Sequence, residues 1–204
     1  MATSKIDICN MSNSQLGNYG SVTDIDTPTT DIEIIYKTWY DNSREALLRL
    51  TMPNFSLKRV KVSQLVAEPV FGYSYGYEYP ADCLKLLGIG NIEDKANDYT
   101  VEAGVIYTDE DYTEGMPIRY IENVTDVTRF TSDWAELLST YLADKVCLPI
   151  TQDDGRKARI EASLPLKMST VGSLNSQENR PTRVSKSRFK AARDNYNPKF
   201  VSKK

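Results

Sequence analysis

Residues 28–51 read PTTDIEIIYKTWYDNSREALLRLT, and their spacing decides the fold. Ile32, Ile35, Tyr36, Trp39, Tyr40, Ala46, Leu47 and Leu50 recur at steps of three and four, the signature of one apolar side of an α-helix. At 3.6 residues per turn the stripe covers about six turns. Thr27 is the expected N-cap, Pro28 suits the first turn, and Asp31 and Glu33 stand where the helix dipole favours acids. Glu33 with Lys37, and Glu45 with Arg49, are expected as i,i+4 pairs on the solvent side. Pro53 closes the segment.

Upstream, residues 4–16 read as a short helix with Ile6, Cys9 and Leu16 inward, stopped at Gly17 and Gly20. Downstream, residues 55–122 change period. Lys58-Arg59-Val60-Lys61-Val62 is strand-like. Phe71, Tyr73, Tyr75, Tyr77 and Tyr79 alternate with small or polar residues, so a single extended strand would turn all five rings to one side. Pro80-Ala81-Asp82 opens a turn or short helix, residues 99–108 read as a hairpin around Glu102-Ala103-Gly104, and residues 116–121 as a further strand.

Helical spacing returns over residues 132–147, with Trp134, Leu137, Leu138, Tyr141, Leu142 and Val146 as the stripe and Pro149 just beyond it. Thr151 is the expected cap of a last helix over 152–168, with Ala158, Ala162, Leu164 and Met168 inward and a kink or stop near Pro165. The expected fold is therefore α+β and mainly α-helical. A helical-bundle body spans residues 1–175, with a small inserted β-sheet and hairpin region at 55–122 and an extended arm at 176–204.

Composition narrows the chemistry. The 204 residues include no histidine, which excludes Ser-His-Asp triads, Cys-His dyads and imidazole metal sites within this chain. The net charge of -3 is uneven. Residues 176–204 hold nine basic and two acidic side chains, a net +7, which leaves -10 on the rest. An acidic body with a basic arm points to an acidic partner for the arm. Cys9, Cys83 and Cys147 are widely spaced and odd in number, so free thiols in a reducing compartment are expected. The opening residues carry no apolar signal core and no apolar run is long enough to span a bilayer, so no membrane association is expected.

Gly72-Tyr73-Ser74-Tyr75-Gly76 matches G-x-S-x-G, but a nucleophile elbow requires a histidine and a strand-to-helix turn. No catalytic residue, metal site or cofactor is expected. Asp109-Glu110-Asp111 with Glu114 lacks EF-hand spacing and reads as a solvated loop. Tyr73, Tyr75, Tyr77 and Tyr79 have two readings, a sheet face packed on a helix, or a subunit contact or stacking surface. The tail has three readings: a solvated segment, a nucleic-acid arm, or a protein-docking arm in which aromatic residues and arginines occupy grooves on an acidic neighbour. In the last, Arg180, Arg183, Lys186, Arg188, Phe189, Arg193, Tyr196 and Phe200 form the contact.

The order of segments also carries a resemblance. Ile8-Cys9-Asn10-Met11 with Leu16-Gly17, then Tyr40-Asp41, Arg44 and Leu47-Leu48-Arg49, then Pro53-Asn54-Phe55-Ser56-Leu57-Lys58-Arg59 follow one another along the first third. An aromatic run from Phe71 leads into Pro80-Ala81-Asp82-Cys83-Leu84. Ile118-Arg119-Tyr120-Ile121 precedes Val124-Thr125-Asp126 and Phe130, and Ser187-Arg188-Phe189-Lys190-Ala191-Ala192-Arg193 lies near the end. This series resembles the head-to-tail adaptor, or connector, family of tailed, podovirus-like phages. Asn54 replaces a second aromatic usual in that family, and Pro165 interrupts a helix the family keeps continuous.

The resemblance implies a non-enzymatic virion protein at the head-tail junction, assembled in the bacterial host cytoplasm. Its partners would be further copies of itself in a ring, commonly a dodecamer, the portal protein above and a tail or nozzle protein below. Genomic DNA would pass through without specific binding. The alternative is a cytoplasmic DNA-binding protein whose basic tail grips phosphates.

Overall fold

The structure, a computed structural model, describes residues 4–18, 20–67, 69–90 and 99–178. Ser4 and Asp7 form a reciprocal capping box that starts α1 (Lys5–Gln15). Ile8, which the sequence pattern missed, is buried with Cys9 and Leu16. Gly17 then takes a positive φ of 65° that ends the helix.

The long helix α2 (Asp31–Thr51) starts three residues later than the proline suggests. Thr30, not Thr27, is the N-cap, because Thr30 and Glu33 satisfy each other's backbone N–H groups as a capping box. Glu33 is accordingly buried and not on the solvent side, and Lys37 donates instead to the Asp26 carbonyl at 2.8 Å. The buried row runs through Tyr36, Tyr40, Ser43, Arg44, Leu47 and Leu48. Trp39, Ala46 and Leu50, expected inward, face outward.

A short 3-10 turn leads to β1 (Leu57–Val62), followed by β2 (Tyr75–Glu78), β3 (Cys83–Ile89), β4 (Tyr99–Glu102), β5 (Val105–Thr108) and β6 (Met116–Glu122). Two three-stranded sheets form, ordered β1-β6-β3 and β2-β5-β4, with every pair antiparallel. Glu102 pairs with Val105 across a two-residue turn in which Ala103 and Gly104 both have positive φ, the backbone that matches strand twist in a tight hairpin. Past β1 the chain stays close to the second sheet. Leu65 N–H donates to the Gly76 carbonyl at 2.8 Å, and Glu78 N–H to the Ser63 carbonyl at 3.1 Å. Val62, Tyr77, Ile106, Met116, Ile118 and Tyr120 fill the space between the sheets.

Helix α3 (Ser132–Thr151) runs through Pro149. The proline removes only its own N–H from the ladder. The final turn stays closed because Thr151 Oγ1 donates to the Cys147 carbonyl at 2.8 Å and Gln152 N–H to the Leu148 carbonyl at 3.1 Å. Trp134, Ala135, Leu137, Leu138, Leu142, Ala143, Val146 and Cys147 are all buried, and so are Ser139, Thr140 and Asp144, so α3 is covered over most of its circumference. It sits between the other helices, packing on α1 and α2 and on α4 (Asp154–Gln177).

Asp153, not Thr151, caps α4 by accepting from Arg156 N–H at 2.9 Å. The helix continues through Pro165, whose ring lies on the exposed side. Packing outweighs the proline: Ile160, Leu164 and Val171 are buried in the core shared with α3, and Lys167 Nζ reaches Glu136 Oε1 at 2.8 Å and Thr140 Oγ1 at 2.9 Å. Ala158 and Ala162 face solvent. The boundary expected at residue 176 falls inside this helix. The fold is mixed α+β.

Candidate assembly surfaces

Three polar anchors set the surfaces. The Glu33 carboxylate ties the 20–30 segment to the start of α2. One oxygen accepts from Thr23 N–H, Thr23 Oγ1 and Asp24 N–H at 2.9, 2.7 and 3.2 Å, and the other from Thr29 N–H, Thr29 Oγ1 and Thr30 N–H at 2.8, 3.1 and 3.1 Å. These donors, the Thr29 N–H foremost, hold its pKa far below the usual carboxylate range.

Arg44 is the second anchor. Its side chain is 3% exposed, and its guanidinium donates to the Val124 carbonyl at 2.8 Å and to Asn123 Oδ1. It also meets Asp41 and Glu45, and Asn123 donates back to Glu45 at 2.9 Å. Helix α2 is thereby fixed to the end of β6.

The third anchor lies on the β1-β6-β3 sheet. Lys58 Nζ sits 2.6 Å from Asp82 Oδ2 and 3.0 Å from Glu122 Oε1, Tyr120 donates to Asp82 at 2.9 Å, and Arg129 to Glu122 at 2.9 Å. Burial raises the Asp82 and Glu122 carboxyls, but Lys58 with Tyr120, and Lys58 with Arg129, more than offset it, so both end below their ordinary values. Asp82, in the stretch that carries part of the resemblance, thus holds the turn before β3 in place. Beside this network, Arg59 and Arg119 stand opposite each other and, with Lys61, line an open depression of about 340 Å³.

The tyrosines do not share one strand face, since β2 covers only residues 75–78. Tyr77 is fully buried between the sheets and not against a helix. Its hydroxyl accepts from Tyr112 N–H at 2.8 Å and donates to the Glu110 carbonyl at 3.3 Å. It presents nothing to a second chain. Tyr73 stacks on Tyr107 at 6.3 Å and shares a 2.6 Å hydrogen bond with Thr100. Tyr75 and Tyr79 are half-buried, and burial beside the Cys83 thiol pushes the Tyr79 phenol up to about 12.

Ser74 lies in a loop, its N–H and Oγ both donating to Asp109 Oδ1 at 2.9 and 3.0 Å. The acidic 109–114 segment is therefore partly structural: Asp109 holds this loop, and Glu114 meets Lys61 at 3.5 Å.

Two surfaces were not singled out by the sequence. Ahead of β2, Val70 is 94% and Phe71 87% exposed, with Val66 equally open. Pro69, Val70, Phe71 and Tyr73 form one side of a shallow cleft whose other side is Glu102 and Tyr107. On α2, Trp39, Ala46 and Leu50 form a row at i, i+7 and i+11, and Leu50 is 58% exposed. Ala46, Arg49, Leu50 and Lys85 line an open groove of about 360 Å³ between α2 and β3. The pattern of α2 held this signal in advance. Its apolar side is wider than the side the fold covers.

Among the described residues no group of three or more Cys, Asp or Glu side chains is placed to hold a metal ion, and no helix is long and apolar enough to cross a membrane. The arm residues Arg180, Arg183, Lys186, Arg188, Phe189, Arg193, Tyr196 and Phe200 lie outside the described residues. Set against known proteins, the chain matches no family model and no curated protein.

Proposed function

We propose that this chain is a structural, non-enzymatic ring subunit of a phage head-tail junction. It docks on the portal, joins capsid to tail and lengthens the channel through which the genome leaves. Its body is the bundle around α3, its β region is the part turned towards a tail or nozzle protein, and its basic C-terminal arm is the portal anchor. The observation that carries an assembly role is the loop bearing Val70 and Phe71. These side chains are almost wholly exposed on a loop whose base is pinned by backbone hydrogen bonds, and large exposed apolar groups of this kind mark interaction sites. The series of segments shared with the connector family supplies the kind of assembly. The division of charge supports it further: an acidic body repels phosphates, so DNA slides past, and a basic aromatic arm suits an acidic ring.

The test is imaging of the full chain mixed with candidate portal rings. A second ring stacked coaxially on the portal is the expected result. Portal rings that remain bare, together with duplex binding that weakens with salt at a log–log slope of about -0.9 per phosphate contact, would replace this reading with the DNA-binding one.

A further inference from the structure

We infer that neighbouring copies join head-to-tail, with Val70 and Phe71 of one copy seated in the α2/β3 groove of the next. The inference rests on the ring reading and names its contact. The two features are complementary in character. The knob is the pair Val70 and Phe71, both almost wholly exposed, with Glu102 across the shallow cleft from them. The groove has an apolar wall from Ala46 and Leu50 and two cations, Arg49 and Lys85, at its rim.

Charge complementarity selects the occupant. Among the described residues neither Arg49 nor Lys85 forms a salt bridge, and the nearest partner recorded for Lys85 is the Met52 sulfur at 3.6 Å. Glu102 likewise has no cation within salt-bridge distance among the described residues. A knob seated in the groove brings the carboxylate to the cations while both apolar surfaces leave water.

Symmetry follows. Knob and groove are different surfaces of one chain, so the contact is heterologous: each copy gives its knob to one neighbour and its groove to the other. Such contacts propagate, and they close into a ring when the rotation per subunit divides a full turn.

The test introduces Leu50→Cys and Phe71→Cys, singly and together, in the full chain carrying Cys83→Ser. Both sites are exposed, so folding is preserved and is checked by circular dichroism. Under mild oxidation the double variant is expected to give a ladder of covalent multimers up to the ring. A mixture of the two single variants is expected to stop at covalent dimers. Phe71→Glu should weaken self-association at least tenfold, and joint Arg49→Glu and Lys85→Glu should be rescued by Glu102→Lys.

Covalent dimers from either single variant alone would mean a two-fold contact and overturn the inference. Rings that form without a ladder in the double variant would overturn this contact and leave the ring reading standing. A chain that stays monomeric and uncross-linked at every soluble concentration, and also on mixing with portal rings, would overturn both.

Discussion

Glu33 accepts two hydrogen bonds from Thr23, from its N–H at 2.9 Å and its hydroxyl at 2.7 Å, across a separation of ten residues. The loop before α2 is folded around this one carboxylate, which must be ionised to accept all of its donors. Its pKa is depressed in the folded protein, so its contribution to stability is complete above the ordinary value of 4.5 and is lost as pH falls below it. Glu33→Gln should lower the thermal midpoint at neutral pH. The gap from the parent should narrow below about pH 4.5 and close in acid. Melting curves across that range check it, and a gap constant with pH would refute the role of the charge.

Arg44 serves a comparable purpose with the opposite sign. Replacing it by methionine keeps the buried stem but leaves the Val124 carbonyl and Asn123 Oδ1 without their donor. The expected cost is about 2–3 kcal/mol, from orphaned acceptors and lost charge-assisted bonds. Arg44→Lys should recover little, because an ammonium cannot span the forked set of acceptors. Denaturant titration of both variants measures this.

Trp134 meets Phe130 at 4.6 Å and Phe55 at 5.3 Å, both edge-on, and its indole N–H donates to Thr51 Oγ1 at 3.0 Å. It joins α3, the end of α2 and the entry to β1 at one point. Trp134→Ala should cost about 3–5 kcal/mol, measured by the same titration. Thr51→Val removes at similar size both the indole's acceptor and the Thr51 Oγ1 bond to the Leu47 carbonyl at 2.8 Å, and should cost about 1–2 kcal/mol.

Much of this was legible in the sequence because the relevant signals are local. The hairpin turn at Ala103-Gly104, the strand at 58–62 and the helical stripes of α2 and α3 depend on neighbours within a few residues. The failures are equally physical. Thr27 and Thr30 are both good caps, and only the reciprocal bond with Glu33 separates them. The pattern places Pro149 just beyond α3 and a kink or stop near Pro165, yet Thr151 closes one helix end and packing on α3 carries the other. The alternating aromatics suggested one strand, but two sheets compete for them. Tyr77 goes between the sheets, while Phe71 stays in water. The outward row on α2 was visible as an apolar stripe, and which part of that stripe the fold covers depends on tertiary contacts that no local pattern contains.

The thiols differ in environment. Cys9 is buried, and burial pushes its pKa up to about 12. Cys147 is buried and Cys83 is half-buried. Alkylation of the native protein at mildly alkaline pH should therefore modify Cys83 first and leave Cys9 unmodified until the protein unfolds. Peptide mapping by mass spectrometry checks the order. Early labelling of Cys9 would mean that α1 opens away from α3.

Asn54 N–H donates to Asn175 Oδ1 at 2.7 Å, and the Asn54 amide donates to the Asn175 carbonyl at 2.8 Å and to Glu178 Oε2 at 3.0 Å. The end of α4 is thus fastened to the turn before β1, at a position where an aromatic was expected from the resemblance. The boundary expected at residue 176 thus lies inside α4, and the described fold extends to Glu178. A chain ending at residue 178 should keep the full-length melting temperature and lose portal docking. A chain ending at residue 165 also loses Val171, the Lys167 bridge to Glu136 and the Asn175 clasp, and should melt several degrees lower. Comparing both truncations in melting and portal-binding assays separates the two roles of the C-terminal region. A 178-residue chain that still docks with full affinity would remove the arm from the proposed anchor and assign docking to the folded body.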